Sequence, residues 1–139
     1  MFKHNKYLKS IKGFSSNNFD FKINHDYLKK NNCVVGLKLL DSFRLTQFQL
    51  EAMRVVIRKK LKKKGNLVLC VKPFLNLTKK SLAVRMGKGK GNFFSNVCPL
   101  PKGKIIFFVK NVNILLAVDA LKTGGYKIFK RFKIVLYKQ

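Results

Sequence analysis

The sequence predicts an α+β fold: an antiparallel or mixed sheet with two helices packed against it, preceded by an extended basic N-terminal arm. Two stretches have apolar residues at helical spacing between capping residues, and several short apolar runs are bounded by glycine, proline or other turn formers. At 139 residues the chain is long enough for one domain with a buried core. We therefore expect an arm over residues 1–32 and an α+β domain over residues 33–139.

The first strand is predicted directly after the arm. Residues 1–32 are rich in Lys and Asn and carry isolated aromatic residues without clean periodicity, which is typical of an extended segment. The run Cys33–Leu40 is then largely apolar and is followed by the turn formers Asp41 and Ser42. The folded domain is expected to begin at this strand.

The clearest helix is predicted from Thr46 to Lys64, with Gly65 as its stop signal. Thr46 followed three residues later by Gln49 is a capping-box pattern. Apolar residues recur at steps of three and four, on one face: Leu50, Met53, Ile57 and Leu61. The rest of the surface carries basic residues: Arg54, Arg58, Lys59, Lys62 and Lys63. Basic residues in the last turn of a helix also interact favourably with the helix dipole. The Lys62–Lys64 run therefore has a purely structural interpretation as an alternative to nucleic-acid binding.

Five further strands and a second helix are predicted after Gly65. The strand-like runs are Leu67–Val71, Leu82–Val84, Phe93–Val97, Ile105–Val109 and Tyr126–Tyr137. The second helix is expected between Asn113, as its N-cap, and the pair Gly124-Gly125. Its apolar residues fall on one side, which we expect to be buried: Ile114, Leu115, Val118 and Leu121.

The charge of the chain predicts a polyanionic partner. The formal net charge is +26, from 31 Lys and Arg against 5 Asp and Glu. Repulsion at this density opposes compaction, and a nucleic acid would neutralise it. Heavy use of Lys, Asn, Phe and Ile without any Trp is typical of A/T-rich genomes such as those of organelles.

The residues that enzymes and metal sites need are scarce. The carboxylates are dispersed along the chain: Asp20, Asp26, Asp41, Glu51 and Asp119. The two histidines lie in the predicted arm, and Cys33, Cys70 and Cys98 are far apart, without a CxxC pair, as expected for reduced thiols in strands. We therefore expect no enzymatic activity, no cofactor and no metal.

Apolar runs are too short for a membrane span. The longest, Ile105–Val109 and Ile114–Val118, have five residues each, against roughly 18 for a spanning helix. Residues 1–10 are basic but no hydrophobic stretch follows, so no secretory signal is expected. Neither a membrane partner nor a homo-oligomer is expected.

Residues 82–94 read LAVRMGKGKGNFF and raise the question of a phosphate site. The spacing does not match a Walker loop, which needs four residues between its glycine and GK and then Ser or Thr, nor does it match GxGxxG. Glycine allows positive φ and close approach of backbone N–H groups to phosphate, here at Gly87, Gly89 and Gly91. We interpret the stretch as a hairpin-like connection whose basic side chains contact RNA: Arg85, Lys88 and Lys90. A mobile basic loop in solvent is the alternative.

The stretch Leu82–Asn92 resembles the signature of the bacterial and organellar large-subunit ribosomal protein family uL16. Val35–Lys38 and Arg44–Thr46, leading into Gln49–Ala52 of the first helix, are similar to the family in order and spacing, and Lys6–Gly13 is a fainter match to its basic opening. The resemblance is strongest from Val35 to Asn92.

This resemblance implies an α+β protein bound to large-subunit rRNA near the central protuberance, beside neighbouring ribosomal proteins and the A-site and P-site tRNA path. It also implies entry late in subunit assembly. The rRNA-binding residues that it implies are Lys6, Lys9 and Lys12 in the arm and Arg85, Lys88 and Lys90 in the loop. We further expect rRNA contact from the basic residues Arg44, Arg54 and Arg58 of the domain, and backbone approach to phosphate at Gly87, Gly89 and Gly91. A mitochondrial ribosome is the expected location, with a plastid or the bacterial cytoplasm as alternatives.

The chain also departs from that family pattern. Between Gly13 and Arg44 it is several residues longer and lacks an arginine- and glycine-rich stretch, and lysine does not reproduce bidentate phosphate recognition by arginine. Charge alone would also permit two other function classes. A sequence-independent DNA-binding protein of the nucleoid type stays open. A cationic membrane-surface protein using the Thr46–Lys64 helix is disfavoured, because the apolar stripe of that helix is interrupted and the helix is attached to strands.

Overall fold

The computed structural model describes residues 33–62, 64–87 and 89–137, so the predicted arm over residues 1–32 lies outside the described residues. The elements in chain order are β1 (Cys33–Leu39), β2 (Phe43–Thr46), α1 (Gln47–Leu61), β3 (Asn66–Leu69), β4 (Leu75–Lys79), β5 (Asn92–Leu100), β6 (Ile105–Lys110), α2 (Ile114–Gly125), a 3₁₀ turn (Tyr126–Ile128) and β7 (Phe132–Leu136). The predicted α+β class is confirmed.

The strands form two sheets rather than the single sheet predicted. The first has the order β3-β6-β1-β7 and the second the order β2-β5-β4, and all neighbouring pairs described are antiparallel. The chain changes sheet at the turn of residues 101–104, because β5 pairs with β2 and β4 whereas β6 pairs with β1 and β3. Strand spacing alone could not distinguish the two arrangements.

Helix α1 begins as the sequence predicts and ends earlier. The Thr46 hydroxyl accepts from the Gln49 N–H at 3.2 Å while the Gln49 side chain accepts from the Thr46 N–H at 3.0 Å, so the capping box is present. The four predicted apolar residues are buried. The helix stops at Leu61 because Lys62, with φ 46°, adopts the left-handed conformation that Gly65 was expected to supply.

Helix α2 has the predicted N-cap but neither the predicted stop nor the predicted buried side: Gly124 and Gly125 are its last helical residues and the chain continues into the 3₁₀ turn. The Asn113 side chain accepts from the Leu115 N–H at 3.0 Å, yet Leu115 is 79% exposed and Ile114 47% exposed. The buried residues are mostly small: Ala117, Ala120, Leu121, Gly124 and Gly125. A Cβ at Gly124 would lie 2.4 Å from Cγ1 of Ile57, so α1 and α2 approach too closely for large side chains between them.

Several strand predictions need correction. Leu82–Val84 is not a strand and belongs to the connection that follows β4, a strand the sequence analysis did not predict. Tyr126–Tyr137 begins with a 3₁₀ turn and is extended only over β7, and β2 is a further strand not predicted. Short polar-rich strands such as β4, LNLTK, lack the apolar run on which the predictions depended.

The main core lies between the sheets and the two helices. It combines α1 with α2 and with one face of the four-stranded sheet, where Leu37 and Phe107 are fully buried. Two ion pairs connect distant parts of the chain: Asp41 with Arg131 at 2.8 Å, and Asp119 with Lys60 at 3.1 Å. None of the helices in the described part of the chain is long and apolar enough to cross a membrane.

Candidate nucleic-acid interface

The glycine- and lysine-rich stretch is the connection of a β-hairpin, as the sequence predicts. Strands β4 and β5 pair antiparallel, and their last aligned pair is Lys79 with Asn92, so residues 80–91 join them. Each residue described between Ser81 and Lys90 is exposed, including Leu82 at 99% and Met86 at 98%. The hairpin connection therefore presents both charged and apolar side chains at the surface.

The three glycines of this connection serve two different purposes. Gly87 and Gly89 have φ of 103° and 84°, and a Cβ built at either would meet nothing within 4 Å, so backbone conformation rather than space accounts for them. A Cβ at Gly91 would lie 2.6 Å from the carbonyl carbon and oxygen of Lys79, so this glycine allows close approach of the two strands. The Lys80 ammonium donates to the Gly87 carbonyl across the connection.

The basic residues predicted to bind rRNA fall into three groups. Arg85 and Lys90 are exposed on the hairpin connection, and Arg44 is exposed on β2, a strand of the same three-stranded sheet. Arg54 and Arg58 lie on α1, which follows β2 directly. Outside the described residues lie Lys6, Lys9, Lys12 and Lys88.

Arg54 already has a carboxylate partner within its own helix. Its guanidinium donates to both oxygens of Glu51, at 2.8 and 2.5 Å. These hydrogen bonds hold the pKa of Glu51 below its usual value and raise the pKa of Arg54. Arg58, one turn further along, is exposed. Of the two α1 arginines, Arg58 therefore presents its charge to solvent while Arg54 is held to its neighbour.

The described carboxylates are all engaged in internal ion pairs. Asp41 pairs with Arg131, Glu51 with Arg54, and Asp119 with Lys60. The exposed lysines and arginines of the domain thus far outnumber its carboxylates, which favours binding of an external polyanion. Across residues 33–62, 64–87 and 89–137, no three His, Cys, Asp or Glu side chains come together as a metal site requires.

The buried thiol is chemically quiet. Cys98 is 2% exposed in β5, and burial raises the pKa of its thiol to about 11. Cys70 is half-buried after β3, and neither of these two cysteines is in a disulfide.

One aromatic cluster beside the hairpin was not predicted from the sequence. Phe48 in the first turn of α1 and Phe94 in β5 are 64% and 48% exposed, and their ring centroids lie 6.3 Å apart at an interplanar angle of 64°. The Lys79 ammonium lies 5.4 Å from the centroid of the Phe94 ring. The sequence feature that could have indicated this cluster is Phe48, an aromatic residue beside the capping box that does not belong to the apolar face of α1.

Comparison with known proteins agrees with the resemblance carried by the hairpin. The sequence pattern of the family "Ribosomal protein L16p/L10e" matches residues 2–135. The large ribosomal subunit protein uL16m of Acanthamoeba castellanii is 44% identical over 100 residues, which are 72% of this chain and 71% of that protein.

Bacterial relatives match over the same share of the chain. The uL16 proteins of Mesomycoplasma hyopneumoniae (strain 7448) and Limosilactobacillus reuteri (strain DSM 20016) are 37% and 38% identical over 100 residues, 72% of this chain and 74% and 69% of theirs. The family pattern spans the domain and its hairpin together with most of the predicted arm. The chain therefore belongs to the ribosomal protein L16p/L10e family, and its role is that of a structural ribosomal protein rather than of an enzyme.

Proposed function

We propose that this chain is a constituent of the large subunit of a mitochondrial ribosome, where it binds large-subunit rRNA and helps to shape the tRNA-binding region. The observation that carries the proposal is the hairpin connection of residues 80–91. It combines the positive-φ glycines Gly87 and Gly89, at which an added Cβ would meet nothing within 4 Å, with exposed Arg85 and with Lys90. Such a backbone suits close contact with a phosphate chain.

The wider charge distribution supports the same partner. Arg44 on β2 and Arg58 in the last turn of α1 are exposed, and the described carboxylates are held in internal pairs. Affinity of this kind depends on counterion release and carries little base readout. RNA is favoured over DNA because the relatives are ribosomal.

The arm over residues 1–32 supplies the second half of the proposal. Its lysines Lys6, Lys9 and Lys12 would extend the rRNA contact beyond the domain of residues 33–139, toward the A-site and P-site tRNA path. This part rests on the family resemblance of Lys6–Gly13 and on the basic composition of the arm. Its test is tRNA binding by subunits that contain a Lys6→Ala/Lys9→Ala/Lys12→Ala variant, compared with tRNA binding by wild-type subunits.

The mitochondrial location is supported by the 44% identity to a uL16m protein and by the Lys- and Asn-rich composition. Cosedimentation of the chain with mitochondrial large subunits, and not with plastid or bacterial ones, tests this directly.

A salt series tests the rRNA contact of the hairpin. The full chain is titrated with its large-subunit rRNA from about 50 to 300 mM salt, and the logarithm of the affinity is plotted against the logarithm of the salt concentration. Each phosphate contact contributes roughly 0.7–0.9 to the slope. The Lys88→Ala/Lys90→Ala variant should therefore weaken binding and reduce the slope by up to about 1.4–1.8.

A matched control makes the assignment specific to the hairpin. Lys122 and Lys130 are exposed on α2 and ahead of β7, outside the three-stranded sheet, so Lys122→Ala/Lys130→Ala removes the same charge elsewhere. This control should change the slope less than the hairpin variant. A flat response of the wild type to salt, equal effects of both variants, or equal affinity for duplex DNA would contradict the proposal.

A further inference from the structure

We infer that Phe48, Phe94 and Lys79 form an aromatic platform on which an unpaired RNA base stacks, next to the hairpin connection. The inference rests on the proposed function, because it takes RNA as the partner. The proposed function involves contacts with RNA phosphates, and the platform adds a site for an RNA base.

Phe94 is a bulged residue at the exposed end of β5. Leu77 aligns with Ser95 and Thr78 with Phe93, so one extra residue, Phe94, is accommodated between these pairs. A bulge of this kind disrupts the strict alternation of side chains between the two faces. Phe93 and Phe94 are both exposed, as is Asn92 before them, whereas residues 95–100 are buried.

The bulged ring meets a second element at the surface. Phe48 is the second residue of α1 and lies off its buried face, and its ring contacts the Phe94 ring edge to face, with centroids 6.3 Å apart. The two rings are inclined at 64° and are not stacked on each other, so ring-face area is left for a third flat group. Phe48 remains 64% exposed. Two phenylalanines exposed together on so charged a chain indicate a surface that a partner covers.

The charges around the rings indicate which partner. The Lys79 ammonium is 5.4 Å from the Phe94 centroid, and Lys79 is the last residue of β4 before the connection that carries Arg85 and Lys90. Aromatic rings lined by cations are the recurring arrangement for single-stranded nucleic acid, because the ring binds the base while the cation binds the adjoining phosphate. An apolar protein segment would gain the ring contacts but would bury Lys79 without a counter-charge.

The absence of tryptophan from the sequence provides a direct probe. A Phe48→Trp variant of the full chain carries a single indole on the platform, which retains the ability to stack. It is titrated with a short single-stranded RNA and with a duplex RNA of the same length, and indole fluorescence is recorded together with the anisotropy of labelled RNA. Fluorescence should be quenched by the single strand, and less so by the duplex.

The matched control is Phe129→Trp, because Phe129 is 93% exposed and lies outside the hairpin, ahead of β7. Its fluorescence should stay nearly constant over the same titration. Equal quenching of both indoles, or binding seen by anisotropy with no quenching at position 48, would overturn the platform while leaving the rRNA-binding proposal intact. Absence of any RNA binding would overturn both.

Removal of the rings gives a second, independent readout. The Phe48→Leu/Phe94→Leu variant should bind single-stranded RNA at least about five-fold more weakly, since base stacking on an aromatic residue is worth roughly five-fold or more in affinity. Its affinity for duplex RNA should change less than about two-fold, and its salt slope should not change because no charge is removed. A loss that is equal for single-stranded and duplex RNA would contradict stacking.

Discussion

Gly91 offers the sharpest test of how the hairpin is built. Replacement by Ala would place a Cβ 2.6 Å from the carbonyl of Lys79 and 2.7 Å from the Lys80 nitrogen, all backbone atoms. Ordinary contacts begin near 3.4 Å, so the two chain segments would have to separate by about 0.8 Å. Because Lys79 and Asn92 form the adjoining aligned pair, the end of the β4–β5 ladder would be lost or displaced.

The size of the effect follows from two opposing contributions. Overpacking of this kind costs about 1–3 kcal/mol, and replacing Gly by Ala returns about 0.4–1 kcal/mol by restricting the unfolded chain. The free energy of unfolding should therefore fall by about 1–2 kcal/mol, which corresponds to a decrease in Tm of roughly 3–8 °C for a domain of this size. Thermal unfolding followed by far-UV circular dichroism, at one fixed salt concentration, measures it.

Gly89→Ala is the control for this test. At φ 84° an alanine is strained, but the site is open and the connection is exposed, so the loop can relax. Its Tm should stay within about 2 °C of the wild type, while its affinity for rRNA falls because the backbone geometry changes. If Gly91→Ala melts like the wild type, or Gly89→Ala is the more destabilising of the two, the assignment of close approach to Gly91 and of φ to Gly89 is wrong.

Three further outcomes are expected. Thr46→Ala removes the hydroxyl of the capping box and should lower the free energy of unfolding by about 1 kcal/mol in urea titrations, whereas Thr46→Ser should be nearly neutral. Asp41 and Glu51 have pKa values lowered from 3.8 and 4.5 by hydrogen bonds from Arg131 and Arg54. Their stabilisation should be complete above about pH 4.5 and should be lost as the pH falls through the lowered values, and Asp41→Asn should flatten this decline in urea midpoints measured against pH. Cys98 should resist alkylation by iodoacetamide at pH 8 until the chain is unfolded, as read by mass spectrometry, because burial raises the pKa of its thiol to about 11; rapid modification of the folded chain would contradict the burial described for β5.

The sequence was most informative where local rules act alone. The capping box at Thr46, the buried stripe of α1 and the Asn113 cap depend on residues two to four apart, and all three are present in the structure. The hairpin character of residues 80–91 was also predictable, since glycines between strands favour a turn. The predicted rRNA contact of Lys88 and Lys90 in this loop is tested by the double variant described above.

The incorrect predictions share one cause, which is packing between residues that are far apart in the sequence. Leu115 is exposed and Ala117 is buried, and α2 approaches α1 so closely at Gly124 that a Cβ there would collide with Ile57. Periodicity favours burial of a leucine over burial of an alanine. The sequence of residues 113–125 does not determine how closely α2 approaches Ile57. Likewise, the bulge at Phe94 depends on how β5 pairs with β4. The register of that pairing cannot be predicted from the sequence of either strand alone.

The internal pairing of the described carboxylates has a consequence for how folding and assembly are related. With those acids engaged, the excess positive charge repels itself in the free chain, and added salt screens this repulsion over a Debye length of about 8 Å at 0.15 M. The same salt weakens the attraction to RNA. Ionic strength thus acts in opposite directions on the isolated protein and on its complex, so the chain gains the most from RNA under the conditions in which it is least stable without it.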